Sequence, residues 1–257
     1  MDSKGEARAG FLKDIERRIG RERSVAADVE RTAPRDTRSV LMNPTRQQIF
    51  CLLHSKPCIH LTMLARKVDI APNSLKWHLD KLEKRGFITS HRMGNRLVFF
   101  PTDMIPEHLC ESFFQLNKEV IRGTFVQIIA RPGISQKDVK LGVERNHQAV
   151  HRSARVLVQA SMVEAVKDGT LTRYYPTDIV QEWTRDIQSR LRNYREGVLK
   201  RMREDALDPE VERATDKVLI VKVRTGVDRS ILTLHTDPVA TILQDDPTGP
   251  SGIRLPR

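Results

Sequence analysis

Residues 68–101 read VDIAPNSLKWHLDKLEKRGFITSHRMGNRLVFFP, the pattern of one helix followed by one tight hairpin. Leu75, Leu79 and Leu82 recur at i, i+4 and i+7, which lays an apolar stripe along one helical face. Pro72 suits the first helical position, where a missing N–H is an orphan in any case. Lys84 and Arg85 come just before Gly86. That is the order of a helix C-terminus: cations on the negative end of the dipole, then a residue free to take positive φ. FITS at 87–90 and LVFF at 97–100 read as two strands around a turn at Met93, Gly94 and Asn95.

The polar side of this helix carries Asn73, Ser74, Lys76, Trp77 and Lys81, and the hairpin carries His91, Arg92, Asn95 and Arg96. Short polar donors in a first turn, followed by a basic hairpin, are the parts of a winged helix-turn-helix. Its helix enters the major groove while its wing lies on phosphates. The spacing Ser74-x-x-x-His78-Leu79-x-x-Leu82-x-x-x-Gly86-Phe87-Ile88 resembles the recognition helix and the start of the wing in ArsR/MarR-type winged-helix regulators, as found in archaea. The resemblance covers residues from about 41 to 104 and implies a DNA-binding fold without specifying the DNA or the signal.

Composition agrees with small helical modules around thin cores. The 257 residues are 39% hydrophobic, 30% charged and only 5% aromatic. A length of this order predicts about two small domains. The formal net charge of +11 points to a polyanionic partner, nucleic acid first, against the plain alternative of a solvated basic surface. No stretch reaches the ~20 consecutive apolar residues of a membrane span. The first residues lack the apolar core of a signal peptide. Cys51, Cys58 and Cys110 form no CxxC pair, which fits a reduced, cytoplasmic setting, and DNA binding would make it nucleoid-associated.

A shift of 75 residues superimposes the sequence on itself without a gap. Phe50 meets Phe125, Pro57 meets Pro132, Ile59 meets Ile134, Val68 meets Val143 and Leu82 meets Leu157. Gly94 meets Gly169, and Pro101, Thr102 and Asp103 meet Pro176, Thr177 and Asp178. Turns and hairpin coincide along with the apolar positions, so the reading is two copies of one module. The second copy offers Asn146, Gln148, His151, Arg152 and Arg155 on its helix, with Lys167 and Arg173 in its wing. Ser161 stands where the first copy has Gly86, and Ser153 where it has His78, so the two copies are not expected to hold DNA equally.

The expected fold is therefore mainly α with small β wings. A charged N-terminal helical arm covers 1–40, with Phe11, Ile15, Ile19, Ala26 and Val29 on one face. A winged-helix domain follows over 41–104, opened by Asn43 as N-cap and Pro44 as first helical residue. A linker helix spans 105–117 and a second winged-helix domain 118–179. A long amphipathic helix covers 180–208, with Trp183, Ile187, Leu191, Tyr194, Val198 and Met202 at three- and four-residue steps. Such a stripe lies on its own chain or pairs with a second copy, and a homodimer is the expectation. Residues 209–257 read as a β-hairpin, KVLIVKV at 217–223 with SILTL at 230–234, and a disordered tail.

Among the candidate contacts, Asn73, Ser74 and Lys76 sit in or beside the first turn, where recognition helices touch bases. Trp77, opposite the leucine stripe, faces DNA or solvent, or packs on the wing. His78, beside Leu75 and Leu82, reads as a half-buried structural histidine. Gln148 and Arg152 suit adenine and guanine edges, against the alternative of a solvated face. Arg92, Arg96, Lys167 and Arg173 are phosphate contacts, or simply keep two hairpins soluble.

Cys51, His54, Cys58 and His60 have ligand types that suit zinc, and some ArsR-like proteins sense metals. The second copy places Val126, Ile129, Gly133 and Ser135 at these positions, so core and turn roles suffice and no metal or cofactor is expected. No phosphate loop, HExxH or nucleophile motif is present, so an enzyme is not expected. The expected function is sequence-specific binding of double-stranded DNA by a transcription regulator. The alternative is an interaction scaffold or architectural DNA-binding protein, with a protein partner on the second domain or on the C-terminal hairpin.

Overall fold

The computed structural model describes residues 39–143, 145–226 and 228–244. The expected arm over 1–40 falls almost wholly outside them, as does the end of the expected tail.

The first helix, α1, covers Pro44–Ser55; Asn43 caps it by accepting the Arg46 amide at 3.1 Å, with Pro44 in the first position. Ile49, Phe50 and Leu53 on its inner face are fully buried. A short strand β1 (Ile59–His60), then α2 (Leu61–Val68), lead to α3 (Pro72–Lys84). Asp69 ends α2 in the left-handed region at φ +57. Leu75, Leu79 and Leu82 bury the inner face of α3, and Gly86 leaves it at φ +70. The hairpin is β2 (Ile88–Met93) and β3 (Arg96–Pro101), turned by Gly94 at φ +58. β1 adds to it in the order β1-β3-β2, with Ile59 and Ser90 both opposite Phe99.

A 3-10 turn (Glu107–Leu109) and α4 (Cys110–Leu116) follow, and Phe113 and Phe114 on α4 are buried. Then the succession of helix, short strand, two helices and hairpin comes again. Its elements are α5 (Glu119–Ala130), β4 (Ile134–Ser135), α6 (Gln136–Val143), α7 (His147–Gln159), β5 (Val163–Asp168) and β6 (Leu171–Pro176). Its strands take the order β4-β6-β5, with Ile134 opposite Tyr174 as Ile59 is opposite Phe99.

The C-terminal third departs from expectation in two respects. Helix α8 (Ile179–Glu204) buries its whole stripe of Trp183, Ile187, Leu191, Tyr194, Val198 and Met202 within its own chain. The stripe is thus consumed internally and is not available as a coiled-coil seam for a second copy. Trp183 meets Phe113 of α4 with ring centroids 5.8 Å apart. Tyr194 hydrogen-bonds His54 of α1. Beyond the helix, the expected hairpin is a three-stranded antiparallel meander: β7 (Asp208–Thr215), β8 (Val218–Thr225) and β9 (Asp228–His235). β7 escapes sequence reading because it is an edge strand with most of its residues exposed and a charged DPEVERAT sequence, the usual protection of an edge.

The meander has one apolar face. Leu219, Val221, Val223, Leu232 and Leu234 are buried, and α9 (Pro238–Leu243) follows with Val239 and Ile242 buried. It leans on α1, where the Ser230 hydroxyl donates to Gln47 Oε1 at 2.8 Å. A hairpin alone is marginal in water, and this packing supplies what it lacks. Asp205, just past α8, fastens the same end: its Oδ2 accepts from the Ser39 hydroxyl and, at 3.2 Å, from the Leu41 amide. Its Oδ1 lies 3.5 Å from Arg85 Nε. Among the described residues no helix is long and apolar enough to cross a membrane.

Candidate nucleic-acid interface

Helix α3 turns its leucines inward and leaves Asn73, Ser74 and Lys76 exposed on the opposite side. Its N-cap, Ala71, has no side chain able to cap, so the first-turn amides are left for solvent or a ligand. Near the other end, Glu83 accepts from both the Ser90 amide (3.0 Å) and the Ser90 hydroxyl (2.6 Å). That carboxylate sets the angle between the helix and the wing.

Trp77 is 47% exposed. Two cations lie near its ring, the Arg46 guanidinium at 5.6 Å and Lys81 Nζ at 5.5 Å from the centroid. Arg46 is itself buried, donating Nε to the Val40 carbonyl. The pair joins the outer face of α3 to the start of α1 through cation–π contact. His78 is half-buried beside Trp77, as its place near the leucines predicts; burial, then the Arg46 charge, lowers its pKa.

The first wing is purely cationic. Its two strands hold Arg92 and Arg96 and no carboxylate. Among the described residues no carboxylate lies within ion-pair distance of Lys76, Arg92 or Arg96. Arg96 rests on the Phe114 ring of α4 at 5.3 Å, with Lys118 at 4.7 Å from the same ring. Burial and the Arg96 charge lower the pKa of Lys118. Asn95 is exposed at the tip.

The second wing is different. It balances Lys167 and Arg173 against Glu164 and Asp168. Arg173 is engaged: Nε lies 2.5 Å from Asp168 Oδ2, and a second guanidinium nitrogen donates to the Gly133 carbonyl at 3.0 Å. Val166 and Leu171 are exposed in the same hairpin. The helix α7 stays basic, with Gln148, His151, Arg152 and Arg155 exposed and no carboxylate along it. Asn146 caps this helix, accepting the Ala149 amide at 2.8 Å, and is committed to structure. His147 and His151 stack with parallel rings 6.5 Å apart, and Arg152 donates to the Gln148 carbonyl.

Three participants escape sequence reasoning: Arg46, Glu83 and Asp168. The last was readable in principle, because a two-residue turn at 169–170 puts Asp168 opposite Leu171, with Arg173 diagonal to it on the same face.

The zinc-like quartet disperses. His54 bonds Phe50 and Tyr194, His60 caps α2 through Thr62, and Cys51 is half-buried and Cys58 buried as free thiols. Among the described residues no group of three or more His, Cys, Asp or Glu is placed to hold a metal.

Residues 41–91 match the family described as a helix-turn-helix domain. In the fold these residues form the helix-turn-helix and the first strand of its wing. The match ends inside β2, and β3 completes the wing of this domain. The chain is also similar to an uncharacterized HTH-type transcriptional regulator of Methanocaldococcus jannaschii, 29% identical over 140 residues. That similarity takes in 54% of this chain but only 35% of the relative, so the chain matches about a third of the length of the curated relative. Among solved structures, the DIP2311 protein of Corynebacterium diphtheriae shares 14% identity over 51% of this chain and 26% of its own, at a TM-score of 0.21. ScpB of Mycobacterium tuberculosis shares 13% identity over 53% of this chain and 92% of its own, at 0.22. At such scores neither defines a shared fold.

Proposed function

We propose that this chain is a transcription regulator that binds double-stranded DNA through two tandem winged helices. The observation that carries the reading is the first wing, with Arg92 and Arg96 free of carboxylates beside the exposed first turns of α3. In this reading Asn73, Ser74 and Lys76 meet base edges and nearby phosphates, Arg92 and Arg96 hold phosphate, and Glu83 keeps helix and wing at one angle. The helix-turn-helix match and the regulator relative support it.

The second module takes a lesser share. Gln148, Arg152 and Arg155 on α7 approach the duplex, while the self-neutralised wing adds little phosphate attraction. Its exposed Val166 and Leu171 favour a protein partner on that wing. The regulator works at the nucleoid as a homodimer, with copies joined through a surface other than the α8 stripe; its mass in solution tests this.

Fluorescence anisotropy of a labelled duplex from upstream of the protein's own gene, against a scrambled duplex, tests the function across a salt series. Preference for the upstream duplex establishes a sequence-specific regulator. Equal, steeply salt-dependent binding to both indicates an architectural role, and no binding at low salt overturns the proposal.

A further inference from the structure

The two wings share one strand register, so their faces correspond residue by residue. In the second wing Glu164 lies opposite Tyr175, Val166 opposite Arg173 and Asp168 opposite Leu171, which puts these side chains on one face of the hairpin. The same face of the first wing holds Thr89 opposite Phe100, His91 opposite Val98 and Met93 opposite Arg96.

In the first wing the chain covers that face itself. Phe100 is 5% exposed and Val98 is fully buried, Glu107 lies 2.9 Å from His91, and Arg96 rests on Phe114 of α4. In the second wing Val166 and Leu171 are each 47% exposed and Tyr175 is 37% exposed. The helix that follows β6 is committed elsewhere: α8 sets Trp183 against Phe113 of α4 and Tyr194 against His54 of α1. A face that the first module closes with a helix is thus left open in the second.

The differences between the modules run in one direction. Val166 stands where the first wing has His91, and Leu171 where it has Arg96. Exposed Leu141 and Val158 likewise stand where the first module has Arg66 and Glu83. Apolar residues gathered on one face, at places where the sister module keeps polar or charged ones, mark an interaction surface.

Charge selects the occupant. The chain carries a formal net charge of +11, so two copies repel on approach. The second wing escapes this, because Glu164 and Asp168 offset Lys167 and Arg173. A two-fold contact sets one patch against itself and therefore needs both signs within that patch. The first wing, with cations alone, does not meet that condition, and the second does.

We propose that two copies of this chain join through the outer face of the second wing, centred on Val166, Leu171 and Tyr175. This rests on the homodimer reading and supplies the surface that reading lacks. Three side chains fall well short of the ~800 Å² per partner of a stable interface. The dimer is therefore weak in free solution and forms as concentration rises, and the cationic first wing takes no part in it.

The test is sedimentation velocity on the full-length chain from micromolar to near-millimolar concentration, beside a Val166→His, Leu171→Arg double variant. The variant carries the residues that the first wing holds at the same hairpin positions, and matching far-UV circular dichroism checks its fold. The expected result is a parent mass that climbs from monomer to dimer and levels there, with the variant monomeric throughout. A parent that stays monomeric overturns this proposal together with the homodimer reading and leaves the face to a different protein. A variant that associates as the parent does overturns this proposal alone and places the dimer contact elsewhere. A parent mass that climbs past the dimer indicates an open, head-to-tail contact and also overturns it.

Discussion

His54 and Tyr194 meet by a hydrogen bond inside the core, joining α1 of the first winged helix to the long helix α8. His54 Nδ1 lies 2.7 Å from the Phe50 carbonyl, which can only accept. The imidazole therefore carries its proton on Nδ1 and accepts a hydrogen bond from the Tyr194 hydroxyl at Nε2. Both side chains are buried, so the bond has no water to replace it.

Tyr194→Phe keeps the ring and removes the donor. A buried acceptor is then left without a partner, and the expected cost is about 1–3 kcal/mol of unfolding free energy, measured by urea titration at pH 7. A variant as stable as the parent would show that the bond contributes nothing.

Burial holds the His54 pKa down to about 4, from an ordinary 6.5. Unfolded, the imidazole gains its proton near 6.5; folded, it stays neutral to about 4. Across that window the unfolded state binds the extra proton, so stability falls as pH falls, by about 3 kcal/mol from this residue in all. Urea titrations at pH 7, 5.5 and 4.5 are expected to show the decline, with a shallower slope for His54→Gln.

Neighbouring residues of β9 should differ sharply. Leu232, buried between meander and α1, is expected to cost about 2–5 kcal/mol as Leu232→Ala. Ile231, 60% exposed on the other face, should change stability by no more than ~0.5 kcal/mol as Ile231→Ala. Equal losses would mean that the meander does not lean on its inner face.

The wings supply a matched pair. Arg96→Ala is expected to weaken duplex binding and lower the salt slope by about one phosphate contact. Arg173→Ala should leave the slope unchanged, because its charge is already answered by Asp168. Anisotropy at four salt concentrations checks both.

The parts legible in the sequence were those fixed locally. Asn43 and Pro44 set the start of α1, Gly86 sets the end of α3, and Gly94 sets the turn of the hairpin, and each follows from backbone chemistry that neighbours do not override. The unreadable parts were long-range choices. The stripe from Trp183 to Met202 specifies only that something apolar covers it, and the cover is its own chain. β7 hid because an exposed edge strand has one free side and needs no alternating pattern. The site divides the same way: exposure of Lys76 and Arg96 follows from helix and strand period, whereas the seat of Trp77 on Arg46 joins two elements whose packing no local pattern dictates.

The central claim is that α3 and the first wing hold DNA, and the most direct test is one anisotropy salt series on a Lys76→Ala, Arg92→Ala, Arg96→Ala triple variant beside the parent chain. The expected result is duplex binding by the parent, a large loss in the variant, and a salt slope shallower by about three phosphate contacts. Parent and variant curves that superimpose at every salt concentration would contradict the claim and move the interface to another face.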